Sequence, residues 1–160
     1  MCHNRRPRGI AVPVFDGVRT LDVTGPLEVF DVARTLGCAY TVALYSCGTS
    51  RSVRCSSGLS FETLPAAELT PEIDTLLVPG GALLVSDGVP QDLQQLVRKH
   101  APAARRVASV CAGAFALVAT VAALATVAAA LAAALHLGAV ARDPVLARGI
   151  TSATAARRRI

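Results

Sequence analysis

The chain has no tryptophan, a single methionine and only 4% aromatic residues, although 52% of its 160 residues are apolar. A core anchored on large rings is thereby excluded, so alanine, valine and leucine must fill the interior. Histidine is scarce too, with only His3, His100 and His136, which are scattered along the chain. No Cys or His set has zinc-ligand spacing, so neither a metal site nor a cofactor is expected. The five cysteines, Cys2, Cys38, Cys47, Cys55 and Cys111, form no CxxC pair and are odd in number. That excludes a small disulfide scaffold and fits a reducing, cytoplasmic setting. The apolar run Ile10 to Phe15 is too short for the hydrophobic region of a signal peptide, and it ends at Asp16.

From Val107 to Ala141 there is no Asp, Glu, Lys or Arg. An uncharged stretch beyond about 18 residues is long enough to span a membrane. Alanine dominates it, however, and arginines flank it on both sides, so no orientation signal emerges and a packed helix is expected instead. The formal net charge is +5, but six arginines sit at the two ends: Arg5, Arg6 and Arg8, then Arg157, Arg158 and Arg159. Setting these aside leaves a near-neutral body, and the ends read as solvated tails rather than a nucleic-acid or lipid surface. Residues 1–8 are accordingly expected to form a basic tail and 9–160 a single domain, a size that can bury a substantial core.

Strand and helix signals alternate along that domain. Gly9 to Phe15 reads as a strand closed by the turn pair Asp16-Gly17, although Pro13 is awkward for a central strand. Leu21 to Leu36 has helical periodicity, with Pro26 expected in its first turn and Gly37 at its end. Tyr40 to Tyr45 is a second strand, and the polar stretch Ser46 to Gly58 has room for one short hairpin. Asp74 to Val78 is a strand cut off by Pro79-Gly80-Gly81, Pro90 to His100 an amphipathic helix, and Val107 to Val110 a last strand. This order argues for an α/β fold on a parallel sheet. His100 ends its helix, where a cation suits the dipole, and His136 reads as a packed or surface residue.

The most informative stretch is Ala108-Ser109-Val110-Cys111-Ala112-Gly113-Ala114-Phe115. A β-branched run stops at Cys111, small residues follow, and a long apolar helical pattern begins. Such a strand, tight turn and helix is the arrangement of a nucleophile elbow, with Cys in place of Ser. A thiol there would lie at a helix N-terminus, where free N–H groups and the dipole favour the thiolate. The plainer reading is a buried cysteine acting as a small hydrophobe.

Two further motifs stand before it: Leu21-Asp22-Val23-Thr24-Gly25-Pro26 and Leu76-Leu77-Val78-Pro79-Gly80-Gly81. In this order and spacing, from about residue 9 to about residue 117, the chain resembles the ThiJ/PfpI superfamily of class I glutamine amidotransferase-like folds. The resemblance is closest to the amidase-like N-terminal domain of AraC-type transcriptional regulators and to the isonitrile hydratases. It implies a flavodoxin-like parallel sheet with helices on both faces. It also implies that Cys111 is the elbow nucleophile and that Asp22 leans towards it. Gly81 and Ala112 match positions whose backbone N–H groups form an oxyanion site. Without the resemblance, Asp22 would read as a carboxylate favoured by a helix N-terminus and Gly80-Gly81 as a simple turn.

The departures are specific. Peptidase-like members carry His after the elbow Cys and the hydratases a hydroxyl residue, whereas this chain has Ala112. Beyond Leu117 the resemblance fades, and only Arg148 to Ala153 is faintly similar to a late family strand. The C-terminal elements are therefore expected to be missing or altered, and no helix-turn-helix pair follows. The resemblance implies a small-molecule-sensing domain of the AraC-regulator kind without the DNA-binding module, so no direct DNA binding. The alternatives are a cysteine-dependent, isonitrile hydratase-like enzyme and an inactive truncated fragment. A small-molecule ligand and a homodimer are compatible with the resemblance, and a membrane partner is not expected.

Overall fold

A computed structural model describes residues 7–70 and 72–120, all within one compact unit, Met1–Thr120. The basic ends beyond these bounds, His136, the segment Arg148 to Ala153 and most of the uncharged stretch lie outside the described residues. Among the described residues no helix is long and apolar enough to cross a membrane.

The chain runs through β1 (Arg8–Val14), α1 (Thr20–Thr35), β2 (Tyr40–Ser46), β3 (Ser52–Arg54), β4 (Ser60–Glu62) and β5 (Leu64–Pro65). A 3₁₀ turn at Ala66–Glu68 leads on to β6 (Thr75–Val78), α2 (Leu83–Ser86), α3 (Gln91–His100) and β7 (Arg106–Ser109). Five strands form one parallel sheet in the order β5-β2-β1-β6-β7, and β3 and β4 pair as the separate antiparallel hairpin. From β1 the chain steps outward to β2, and later from β6 outward to β7 on the other side. Right-handed crossovers in opposite directions place α1 and α3 on opposite faces. The fold is flavodoxin-like α/β, and the strand order reverses between β1 and β6. In such sheets a crevice opens at that reversal, outside the carboxyl ends of the strands.

β1 is central because residues Ile10 to Phe15 are all buried. Pro13 is fully buried within it, contrary to the sequence expectation that it weakens a central strand. The register explains this. Val14 accepts the Cys47 N–H on the β2 side, so alternation turns the Pro13 nitrogen towards β6, where pairing stops at Ala11–Leu76. Proline therefore removes no ladder bond. The core is aliphatic, as the composition requires: Val12, Val14, Leu76, Val78, Leu93 and Val97 are essentially inaccessible. β7 differs, because all four of its residues are exposed.

Pro26 is not in the first turn of α1, as the sequence pattern predicts. The helix begins at Thr20, so Pro26 falls inside it. A proline there cannot donate to the carbonyl four residues back, that of Asp22, and its ring crowds that carbonyl. His100 also departs from expectation. It is 4% exposed, and burial, with Lys99 nearby, lowers its pKa. The ring is thus a neutral imidazole in the core rather than a cation at a helix end.

At the amino ends of the strands, Asp74 ties three of them together. Its N–H donates to Gly9 of β1, and its carbonyl accepts from Arg106 of β7. Its carboxylate takes a two-pronged contact from Arg105, at 2.6 Å from Nε and 2.8 Å from Nη2. The hydrogen bond from Arg105 is the main cause of a lowered Asp74 pKa. A carboxyl depressed on folding adds stability above its unfolded pKa and loses it as pH falls through the folded value. Asp74→Asn should therefore lower the melting temperature by a few degrees at neutral pH. That difference should disappear on acidification below the ordinary carboxylate range of about 4, as read by thermal melts across pH.

Candidate functional site

The site is assembled where β6 and β7 end beside the start of α1. β7 stops at Ser109, and Val110 still donates to the Val78 carbonyl at 3.0 Å. The next residue, Cys111, has a φ of 52°, and no other described residue apart from glycines has a positive φ. A left-handed residue with a side chain is strained and persists only where its surroundings enforce it. Gly113 and Phe115 then donate to the Val110 and Ala112 carbonyls, and residues 113–120 are helical. This turn throws the thiol outward. Cys111 is exposed, whereas Cys55 is buried and Cys47 partly buried, with burial pushing the Cys47 thiol up to about 12.

The turn after β6 packs directly on this elbow. A Cβ on Gly113 would run into the Val78 carbonyl oxygen and stand 3.0 Å from that of Pro79. A Cβ on Gly80 would stand 2.6 Å from Asp22 Oδ2, 2.8 Å from the Ala112 nitrogen and 3.1 Å from the Val110 oxygen. Only glycine fits at either place, because the atoms opposite are mostly backbone. The same numbers place Asp22 Oδ2 and the Ala112 N–H around one point above Gly80. The sequence reading treats Pro79-Gly80-Gly81 as a turn motif; the structure gives Gly80 the added role of clearing room for the Asp22 carboxylate. The signal in the sequence was the glycine pair itself, but its purpose depends on α1, which is remote along the chain.

Asp22 comes in on the first turn of α1, anchored by the Arg19 N–H on the Gly80 carbonyl at 2.9 Å and by an antiparallel bridge between Val18 and Gly81. It is 7% exposed, and its Oδ2 is buried with no hydrogen-bond partner. Asp22 Oδ2 therefore makes no hydrogen bond to the Cys111 thiol; it reaches the backbone of the elbow rather than the sulfur. The N–H groups of Gly81 and Ala112 donate to no backbone acceptor among the described residues. On the rim, Thr20 and Ser57 share a 2.6 Å hydroxyl contact, which joins the β3–β4 loop to the start of α1. Sequence reasoning did not find Ser57, since no local pattern points to it. Among the described residues no three His, Cys, Asp or Glu side chains converge as metal ligands.

The site thus offers a strained, exposed thiol, a buried carboxylate oxygen without a partner and two backbone donors not used by the fold. Such a set can bind a small polar molecule and add sulfur to an electrophilic carbon.

Comparisons with known proteins agree with this architecture. A Streptomyces lividans protein from the cpoL 5′ region is 40% identical over 111 residues, which make up 69% of this chain and 78% of that protein. A ThiJ/PfpI family protein from Pseudomonas syringae superposes with a TM-score of 0.59 at 21% identity, over 70% of this chain and 45% of its own. An AraC family transcriptional regulator from Pseudomonas putida superposes with a TM-score of 0.57 at 21% identity, over 69% of each chain. The chain thus spans less than half the length of the Pseudomonas syringae protein. The DJ-1/PfpI family matches residues 8–141, which is most of the sequence, and the chain therefore belongs to the DJ-1/PfpI family.

Proposed function

We propose that the chain is a small-molecule-sensing domain of the kind found in AraC-type regulators, with its ligand held at the elbow between Asp22 and Cys111. The observation that carries this reading is the unpartnered Asp22 Oδ2, buried beside the elbow. A buried acceptor left unpaired costs on the order of 1–3 kcal/mol. A ligand that brings an N–H or O–H to it recovers that energy, so the free site is built to be completed. The Gly81 and Ala112 N–H groups would hold the ligand's carbonyl or other acceptor. Likeness to the Pseudomonas putida regulator supports a sensing role.

The exposed, strained Cys111 favours a second reading, that of an isonitrile hydratase-like enzyme. There Sγ bonds to the terminal carbon of the isonitrile, and the thiol proton passes to that carbon by way of Asp22 across a water bridging it to Sγ, giving a thioimidate. Water then adds to the same carbon and the C–S bond breaks, which returns the thiol and leaves an N-formyl amine. The two readings separate in one experiment. Turnover of an isonitrile by the wild type that is lost in Cys111→Ser supports the enzyme. Ligand-induced thermal stabilisation without turnover, reduced by Asp22→Asn, supports the sensor. Neither outcome in a folded protein leaves the inactive reading.

Cys111 should be the first thiol alkylated by limiting iodoacetamide, with Cys47 and Cys55 modified only after unfolding, as peptide mapping would show. Gly80→Ala should displace the Asp22 carboxylate. It is expected to cost about 1–3 kcal/mol through overpacking and to weaken ligand binding at least about tenfold, the equivalent of ~1.4 kcal/mol. Denaturant melts and calorimetric titration check the two effects separately.

A further inference from the structure

A second cavity lies away from the elbow, between the 3₁₀ turn at Ala66–Glu68, the end of β2 and one face of α3. Its volume is about 190 Å³, and its lining includes Cys47, Ala66, Leu96, Asp92, Lys99 and His100. The floor is closed by Leu96 at 5% and His100 at 4% exposure. The His100 ring has no hydrogen-bond or ion-pair partner among the described residues, although it is more than nine-tenths buried. A buried imidazole facing a cavity without a protein partner is an open polar valence.

The rest of the lining has a direction. Asp92 and Lys99 are both exposed at the rim and lie two turns apart on α3, about 10 Å along its axis. The charge of Asp92 is felt at Cys47 and that of Lys99 at His100, so the cavity has an acidic end and a basic end. Between them the wall is apolar, built from Leu96, Ala66 and the Cys47 thiol. That thiol is held protonated by burial and acts as a wall rather than a nucleophile. None of these residues belongs to the elbow set, and no step at Cys111 uses them.

We propose that this cavity is a second binding site, for a small linear amino carboxylate. The ammonium group sits at the Asp92 end, the methylene stem lies along Leu96 and Ala66, and the carboxylate meets Lys99 and takes the free hydrogen-bonding capacity of His100. Both charged ends are needed, because either alone leaves one rim charge unpaired over the apolar wall.

The test uses the whole chain and 6-aminohexanoate as the probe, with hexanoate and hexylamine as single-charge controls, by calorimetric titration and thermal shift. The expected result is saturable binding of 6-aminohexanoate that is at least about tenfold tighter than that of either control. Asp92→Asn and Lys99→Gln, both exposed positions that leave the core intact, should each weaken it about tenfold. Cys111→Ala should leave it unchanged, which separates this site from the elbow. The proposal is overturned if 6-aminohexanoate does not bind at millimolar concentration, if either control binds equally well, or if binding survives both rim substitutions.

Discussion

The architecture of the elbow rests on one close approach, that of the backbone after β6 to the backbone after β7. At Gly113 a single Cβ would collide with the Val78 carbonyl, and at Gly80 a Cβ would enter the space shared by Asp22 Oδ2 and the Ala112 nitrogen. Two chain segments packed backbone to backbone cannot relax by rotating a side chain. The position of Cys111 is therefore dictated by the β6–β7 pairing, and its left-handed φ is held by the same contact. Strain at one residue is affordable when the surrounding sheet over-determines it.

A second consequence follows at α1. The helix begins beside Gly80 through the Arg19 and Val18 contacts, and Pro26 withholds a donor from the carbonyl of Asp22. The residues leading into the helix are thus tied to the β6 turn, and the helix lacks one of its own hydrogen bonds at the Asp22 carbonyl. This carries the Asp22 carboxylate to the elbow but leaves its Oδ2 unpaired. The fold tolerates an incomplete hydrogen-bond set at this place, as it also does at Arg98 Nε on α3. What distinguishes Asp22 Oδ2 is its place beside the elbow, at the reversal point of the sheet where α/β folds of this kind open a crevice.

The Pseudomonas syringae protein is more than twice as long as the part this chain covers. β7, with all four residues exposed, is the strand least enclosed by the described unit. Among the described residues, the contacts that shape the elbow at Cys111 come from the ends of β6 and β7 and from the start of α1. The described lining of the α3 cavity comes from α3, the 3₁₀ turn at Ala66–Glu68 and Cys47 at the end of β2.

Much of this was legible in the residues. Alternating strand and helix patterns, the abrupt Pro79-Gly80-Gly81 stop and the Val110-Cys111-Ala112-Gly113 turn specify elements whose signals are local, and a local signal survives in a one-dimensional text. The aliphatic core followed from the shortage of aromatic rings for the same reason. Other features were decided only by the tertiary structure. Pro13 is harmless because β6 pairs with β1 no further than Ala11. His100 is a neutral core residue because its helix face turns inwards. Gly80 matters because Asp22, far away in sequence, arrives opposite it. Each of these turns on which backbone lies across from which. Register and packing between distant segments set that, and no window of neighbouring residues contains it.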